Sequence, residues 1–268
     1  MGDLATDTEL TGGGGDYRGF VSHDWEILGP DGGFLSALAL RAAGKETAFA
    51  RPASLACHYL NSPQFDEVQL TVTKLRESSR AESLRVSMRQ GDKPILEALI
   101  WTVAAAAGIG HDTTEPPQVE PPEKVLPIEH YRPDWPPFPF WRNMEYRPML
   151  MPGQRVGEPG RGWLRAWHRY RPVAKFDDLF IDAARCLILA DTMVFPAASM
   201  AHGNPFPYRA TSLDVAVSFH HPAEASEWLL CDAESHTAEG GLVGGQVSVW
   251  SDTGRLLVSS VQQMIQLV

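Results

Sequence analysis

The chain has 268 residues, enough for one large domain or for two of about 130 residues. Its net charge of −10 argues against nucleic acids and anionic membrane surfaces as partners, because phosphate backbones attract basic proteins. Its three cysteines, Cys57, Cys186 and Cys231, are too scattered for a zinc site or a disulfide framework. The cysteine usage fits a reduced, cytoplasmic setting. No apolar run reaches the roughly 20 residues that span a bilayer, so we expect no membrane span.

The first half of the chain predicts one helix followed by four strands. Residues 1–15 are acidic and rich in glycine, and we expect them to be flexible. Asp31 is a candidate N-cap for a helix over Phe34–Ala43, which should stop at Gly44. Apolar runs and alternation of apolar with polar side chains then predict strands over Ser54–Asn61, Val68–Arg76, Ser83–Gln90 and Ile95–Val103.

Prolines are concentrated in the middle of the chain. Between Glu115 and Pro152 lie 11 of the 21 prolines, a density that rules out a continuous helix or a central strand. We expect an extended linker over residues 113–153. Its many aromatic side chains indicate that much of it lies against a folded surface.

The second half predicts the same order of elements. A helix is expected over Asp178–Asp191, followed by strands over Ser212–Phe219, Trp228–Glu234, Gly245–Trp250 and Leu256–Gln266. Pro63 and Pro222 are 159 residues apart, and Glu67 and Glu227 are 160 apart. This nearly constant offset indicates a duplication, with one unit over residues 16–112 and a second over residues 154–268. Two antiparallel sheets, each wrapped round one helix, would complete each other's edges if joined side by side.

Short motifs in both halves carry a family resemblance. They are Gly32-Gly33 before an alanine-rich helix, Pro52-Ala53-Ser54-Leu55, Gly91-Asp92-Lys93-Pro94-Ile95, Ala190-Asp191-Thr192, Phe219-His220-His221-Pro222, Glu227-Trp228-Leu229-Leu230, and Asp252-Thr253-Gly254-Arg255-Leu256-Leu257-Val258 running into Ser260-Val261-Gln262. In this order they resemble the double-hotdog acyl-CoA thioesterases of the type II family. The implied fold class is α+β, with two tandem hotdog units joined into one sheet.

The resemblance also implies a function and a set of catalytic residues. Members of that family hydrolyse acyl-CoA to a fatty acid and CoA by direct attack of water. They use an Asp at the end of the second hotdog helix, a Ser or Thr on the next strand, and a Gln on the last strand. By position these are Asp191, Ser212 and Gln262. The resemblance implies no cofactor, and we expect a homo-oligomer that takes acyl-CoA as its substrate.

The residue pattern singles out the same side chains but leaves alternatives open. Asp191 lies on the apolar stripe of its helix, where burial should raise its pKa, although it could simply cap the helix end. Alternation places Ser212 on the strand face opposite Val215, where it could be a solvated strand start. Thr211 and Asp214 compete for its role. Gln262 could equally be solvated at a sheet edge.

The glycines and histidines support further expectations. Gly32 and Gly33 can offer backbone N–H groups to a thioester oxygen or a phosphate, or can simply allow close packing of the helix start. The histidines show no metal-ligand spacing, so we expect no metal site. His58 lies two positions past Ala56, the place where relatives carry a histidine. The sequence also lacks the glycine motifs of serine hydrolases, dinucleotide-binding proteins and P-loop nucleotidases.

Two other functions fit the same fold. One is a non-catalytic protein that binds acyl-CoA or lipid, and the other is a hotdog enoyl-CoA hydratase. The duplication also predicts one working site per chain. Matching the hairpin turns of the two halves places Trp101 where the second half has Gln262, and the first helix has no carboxylate from Gly33 to Ala43.

Overall fold

The computed structural model describes residues 1–105, 108–149, 158–202, 208–223 and 225–267. Within these ranges, twelve strands form one sheet, and every neighbouring pair is antiparallel. The strands are β1 (Thr11–Gly13), β2 (Asp16–Phe20), β3 (Arg51–Tyr59), β4 (Glu67–Glu77), β5 (Ala81–Gln90), β6 (Lys93–Val103), β7 (Met144–Met149), β8 (Trp163–Tyr170), β9 (Arg209–Phe219), β10 (Leu229–Glu239), β11 (Leu242–Ser251) and β12 (Leu256–Leu267). Their order is β1-β2-β4-β5-β6-β3-β9-β12-β11-β10-β8-β7.

Five helices accompany the sheet in the same ranges. They are α1 (Leu4–Asp7), α2 (Gly32–Glu46), α3 (Ile128–Tyr131), α4 (Leu179–Thr192) and α5 (Val194–Ser199), with short 3₁₀ turns at His23–Trp25, Pro122–Lys124 and Pro139–Asn143. None of these helices is long and apolar enough to cross a membrane.

The two halves meet where β3 pairs with β9. Ala56 lies opposite Ala216 in this ladder, and the two are 160 residues apart, the same offset that relates the repeats. An approximate twofold axis therefore passes between them. The predicted double-hotdog fold with a single joined sheet is confirmed.

The two long helices pack against each other in opposite directions. Asp31 caps α2 by accepting a hydrogen bond from Phe34 N–H, and Asp178 caps α4 in the same way. The start of α2 lies beside the end of α4: a Cβ on Gly33 would come within 2.8 Å of the Ile188 Cα. α2 also runs past its expected stop, because Gly44 lies inside the helix against the ring of Phe180. Gly44 allows this contact because it has no side chain.

The first residues differ from the flexible start expected. They form α1 and β1, with Leu4 and Leu10 buried in the core. The backbone N–H of Gly2 donates to Asn143 Oδ1 at 2.8 Å. Composition alone indicates a flexible segment, because Leu4 and Leu10 are isolated apolar residues and the residues that they contact are distant in the sequence.

The proline-rich segment also contributes to the fold. β7 pairs with β8 at the edge of the sheet, so the second unit begins before its predicted boundary at residue 154. Pro148 is compatible with this strand because only one side of an edge strand pairs. Trp135 stacks on Tyr146, and Trp141 packs at a tilt against both rings, so the aromatic side chains lie against the folded surface as expected. Residues 150–153 of the predicted linker lie outside the described ranges.

Candidate active site

Asp191, Ser212 and Gln262 come together where the end of α4 crosses β9 and β12. Asp191 is only 3% exposed. The Gln262 amide nitrogen donates to Asp191 Oδ1 at 2.6 Å and to Ser212 Oγ at 3.0 Å. One amide group thus connects a buried carboxylate and a hydroxyl that lie far apart in sequence.

Ser212 reaches this site because of an irregularity in its strand. The β9–β12 register shifts between Gln263 and Met264, which pair with Asp214 and Ser212. The face expected for Ser212 is therefore wrong: the extra residue at the shift breaks the alternation and turns Ser212 toward the helix side. Asp214 accepts a hydrogen bond from the Gln263 backbone, and Thr211 is exposed.

The glycine pair allows the close approach of α2 to Asp191. A Cβ on Gly32 would lie 2.8 Å from Asp191 Oδ2 and 3.2 Å from Tyr59 Cζ. The Gly33 backbone N–H stabilises the ionised form of Asp191. The two glycines therefore lie at the site, and close packing accounts for at least part of the need for them.

Burial raises the pKa of Asp191 to about 6. Four neighbours oppose this shift: the Tyr59 hydroxyl, the Ser212 hydroxyl, the Gln262 amide and the Gly33 N–H. Asp191 is therefore ionised at neutral pH yet more basic than an ordinary aspartate. This combination suits a general base.

A second buried carboxyl group, Asp31, lies beside the site. Its pKa is raised well above the usual value by burial and by the negative charge of Asp191. The Thr192 hydroxyl lies 2.7 Å from the Ile188 carbonyl oxygen and 3.1 Å from Asp31 Oδ2. A hydroxyl has one hydrogen, so when Thr192 donates it to the carbonyl, a protonated Asp31 can donate to Thr192 in return.

Sequence reasoning missed both Asp31 and Tyr59 as parts of this site. Asp31 was recognised only as the cap of α2, a role it does fill. Tyr59 lies at the end of β3, in a strand that carries no motif for catalysis. The junction between β3 and β9 brings Tyr59 to the second half, and nothing in the local sequence indicates that pairing.

His58 and the other side chains that could bind a metal do not cluster in the part of the chain that the structure describes. His58 is exposed, and it pairs with Asp214 across the junction. Among the described residues, no group of three or more His, Cys, Asp and Glu side chains is placed to hold a metal ion.

The twofold axis relates this site to a second place, which we call the twin site, around Gly44 and Phe180. Gly44 is the counterpart of Asp191, since both lie thirteen residues after the cap of their helix. A Cβ on Gly44 would lie 2.7 Å from Phe180 Cγ. The offset of 160 residues makes Pro52 the counterpart of Ser212.

The counterpart of Gln262 is Ile100, so the expectation of Trp101 is wrong. Gln262 pairs with Val215, whose repeat partner Leu55 pairs with Ile100. Ile100 is fully buried on the helix side, whereas Trp101 is 38% exposed on the other face. Aligning the two halves by their hairpin turns is wrong by one residue, and a shift of one residue places a side chain on the opposite face of the sheet. The three residues in the places of Asp191, Ser212 and Gln262 are nevertheless apolar: Gly44, Pro52 and Ile100.

Comparisons with known proteins agree with this architecture. Residues 21–103 match the acyl-CoA thioesterase N-terminal domain, and residues 120–266 match the acyl-CoA thioesterase C-terminal domain. No curated protein matches the sequence.

Solved structures cover nearly the whole chain. An acyl-CoA thioesterase II from Mycobacterium marinum has a TM-score of 0.81 at 20% identity, and a tesB protein from Mycobacterium avium subspecies paratuberculosis has 0.78 at 23%. A hotdog-fold protein of unknown function from Alicyclobacillus acidocaldarius has 0.82 at 19%. Each alignment covers 99% of this chain and 98% of the other. These likenesses establish the fold, and the C-terminal domain match alone spans more than half of the sequence. The chain belongs to the acyl-CoA thioesterase family, with the double-hotdog fold of its type II members.

Proposed function

We propose that this protein hydrolyses fatty acyl-CoA to a free fatty acid and CoA by direct attack of water. The observation that carries the proposal is the Asp191–Gln262–Ser212 cluster, in which a buried carboxylate of raised pKa is held by a neutral amide and a hydroxyl. Family membership supports the substrate class.

The geometry supplies a role for each group. Asp191 accepts a proton from the attacking water. Gln262 uses its nitrogen to hold Asp191 and Ser212, while its Oε1 is buried and has no hydrogen-bond partner among the described residues. That oxygen can accept the second hydrogen of the water and so fix its direction. The Ser212 hydroxyl stabilises the carboxylate.

The start of α2 suits the binding of the thioester carbonyl oxygen. Hydrolysis forms a bond from the water oxygen to the thioester carbon, places negative charge on the carbonyl oxygen, and then breaks the carbon–sulfur bond. The first N–H groups of a helix have no partners within it and carry the positive end of its dipole. We assign the Gly32 N–H to the binding of that oxygen, and Gly33 to the close approach of the helix start, since the Gly33 N–H already stabilises Asp191. The proton held by Asp191 can then pass to the CoA thiolate.

We further propose a cytoplasmic homo-oligomer. The outer face of the sheet exposes apolar side chains from both halves, including Leu99, Trp101 and Val261. A second copy of the chain would cover this face. Light scattering on the purified protein measures the mass and tests the association directly.

The function is tested by measuring thiol release from acyl-CoAs of several chain lengths. We expect release by the wild-type protein and strong loss with Asp191→Asn. Binding of acyl-CoA without thiol release would favour the non-catalytic alternative. Addition of water to a 2-enoyl-CoA without thiol release would favour a hydratase.

A further inference from the structure

Tyr59 brings a phenol from the first half into the site of the second. Its ring lies beside Gly32, where a Cβ would touch both Tyr59 Cζ at 3.2 Å and Asp191 Oδ2 at 2.8 Å. The Tyr59 hydroxyl is buried and has no hydrogen bond of normal geometry to the described residues, yet it is close enough to Asp191 to stabilise the ionised carboxylate. The other carboxylate oxygen, Oδ1, is already held by Gln262.

The repeat provides an internal comparison for this hydroxyl. With the offset of 160 residues, the counterpart of Tyr59 is Phe219. Phe219 has the same ring without the oxygen, and it lines a small cavity with Pro52, Leu179 and Asp182. Both halves therefore carry an aromatic ring at this place. The hydroxyl occurs beside Asp191, whereas the carboxylate near Phe219 belongs to Asp182 and already accepts hydrogen bonds from Arg185 and from the Ala223 N–H.

The Tyr59 hydroxyl remains a donor across the working pH range. Burial, and then the charge of Asp191, raise the pKa of Tyr59 well above its usual value. The other titratable groups around Asp191 are Asp31 at the start of α2 and Cys57 on β3, with Asp214 of β9 beyond Cys57. The carboxylates of Asp31 and Asp214 disfavour a further negative charge in this region, and burial raises the pKa of Cys57. Tyr59 therefore keeps its hydroxyl hydrogen and can donate it.

We propose that Tyr59 is a positioning residue for Asp191, donating its hydroxyl hydrogen to the carboxylate oxygen that Gln262 does not hold. With both oxygens held from opposite sides, the carboxylate keeps one orientation toward the water. This inference rests on the proposed function for its catalytic meaning. The interaction itself does not depend on which substrate is used.

The test is Tyr59→Phe, which reproduces the residue that the other half already has. Loss of the donor destabilises the ionised carboxylate, so the acidic limb of the kcat/KM profile should move up by about one pH unit. The ¹³C-carboxyl resonance of Asp191, assigned by its loss in Asp191→Asn, should show the same shift in its titration midpoint without substrate. The matched control is Tyr17→Phe, which removes a phenol bonded to Glu46 in the first half. We expect no shift in that variant.

The two readouts separate the outcomes. An unchanged Asp191 midpoint in Tyr59→Phe would overturn the positioning role, whether activity falls equally at every pH or not at all. If the wild-type protein releases no thiol but the midpoint still shifts, the proposed function fails while the Tyr59–Asp191 interaction stands.

Discussion

Ala56 and Ala216 face each other at the centre of the sheet, and each is the repeat counterpart of the other. Their pairing fixes which residue of one half corresponds to which residue of the other. It also explains why Tyr59 can complete a site whose base lies on α4. The candidate active site and the twin site are two versions of one place, and only the first carries the carboxylate, the hydroxyl and the amide.

Replacement of the base should separate activity from folding. We expect Asp191→Asn to lower the thiol release rate by roughly 10²–10⁴, because a general base contributes on that scale. The asparagine oxygen can still accept the hydrogen bond from Gln262. Steady-state rates on protein with an unchanged circular dichroism spectrum provide the measurement. Wild-type turnover in this variant would refute the assignment.

The same variant should be more stable than the wild type at neutral pH. The folded pKa of Asp191 is about 6 against an ordinary value of 3.8, so the folded state binds more protons between these values. The free energy of unfolding therefore falls as pH rises through this window. Asp191→Asn removes the loss, on the order of 2–3 kcal/mol at pH 7. Urea unfolding at pH 4 and pH 7 tests this, and we expect the gain at pH 7 only.

Activity should fall as the pH is lowered through about 6, where Asp191 becomes protonated. A base with an ordinary aspartate pKa would remain active about two pH units lower. The measurement is kcat/KM from pH 4.5 to 8 on a chain length that the enzyme accepts. A flat profile down to pH 5 would show that a different group takes the proton.

The strand irregularity on β9 leads to a paired test of Ser212 and Thr211. Ser212→Ala removes a hydrogen-bond partner of Gln262 and a group that stabilises Asp191. We expect about a 10- to 100-fold loss of kcat/KM, the effect of one hydrogen bond to a charged group. Thr211→Val changes an exposed neighbour and should leave the rate as it is. The reverse result would assign the role to Thr211.

Asp31 should limit stability at alkaline pH. Its pKa is raised in the folded state, so the folded protein binds more protons than the unfolded chain above pH 4, and stability falls as pH rises. Asp31→Asn keeps the cap on Phe34 and can donate to Thr192, so we expect it to stabilise the protein at pH 8 and to change little at pH 4.

The control for this prediction is Asp178→Asn at the start of the other helix. Asp178 caps Phe180 and Ile181 N–H groups, but its side chain is half-exposed. Its charge favours the helix dipole, so we expect a small loss of stability. Equal behaviour of the two variants would show that Asp31 is not specially affected by burial or by Asp191.

One ligand should bind per chain. The twin site places Phe180 and Gly44 in contact and has Pro52 and Ile100 in place of the hydroxyl and the amide. Calorimetric titration with a non-hydrolysable acyl-CoA analogue gives the stoichiometry. Two equivalent ligands per chain would contradict the asymmetry.

The sequence was sufficient for the two long helices, α2 and α4, for the central strands and for the family, because periodicity and the repeat offset act over many residues at once. Gln262 and Asp191 could also be predicted, since each is a polar residue in an apolar pattern. The orientation of Ser212 and the identity of Ile100 depended on register, where one residue changes the face. Asp31 and Tyr59 required knowledge of which helix ends and strands meet. Those contacts join residues more than 130 positions apart.

Because Phe180 contacts Gly44, a single substitution cannot restore the twin site. Restoring its base by Gly44→Asp alone would press a carboxylate against the Phe180 ring, with Pro52 and Ile100 in the places of the hydroxyl and the amide. Such a chain would lose stability before gaining any activity, and the missing partners would have to return on several elements together. Each half therefore supplies a different part of one shared site. The two halves correspond to two specialised subunits, and the peptide that links them fixes their ratio at one to one.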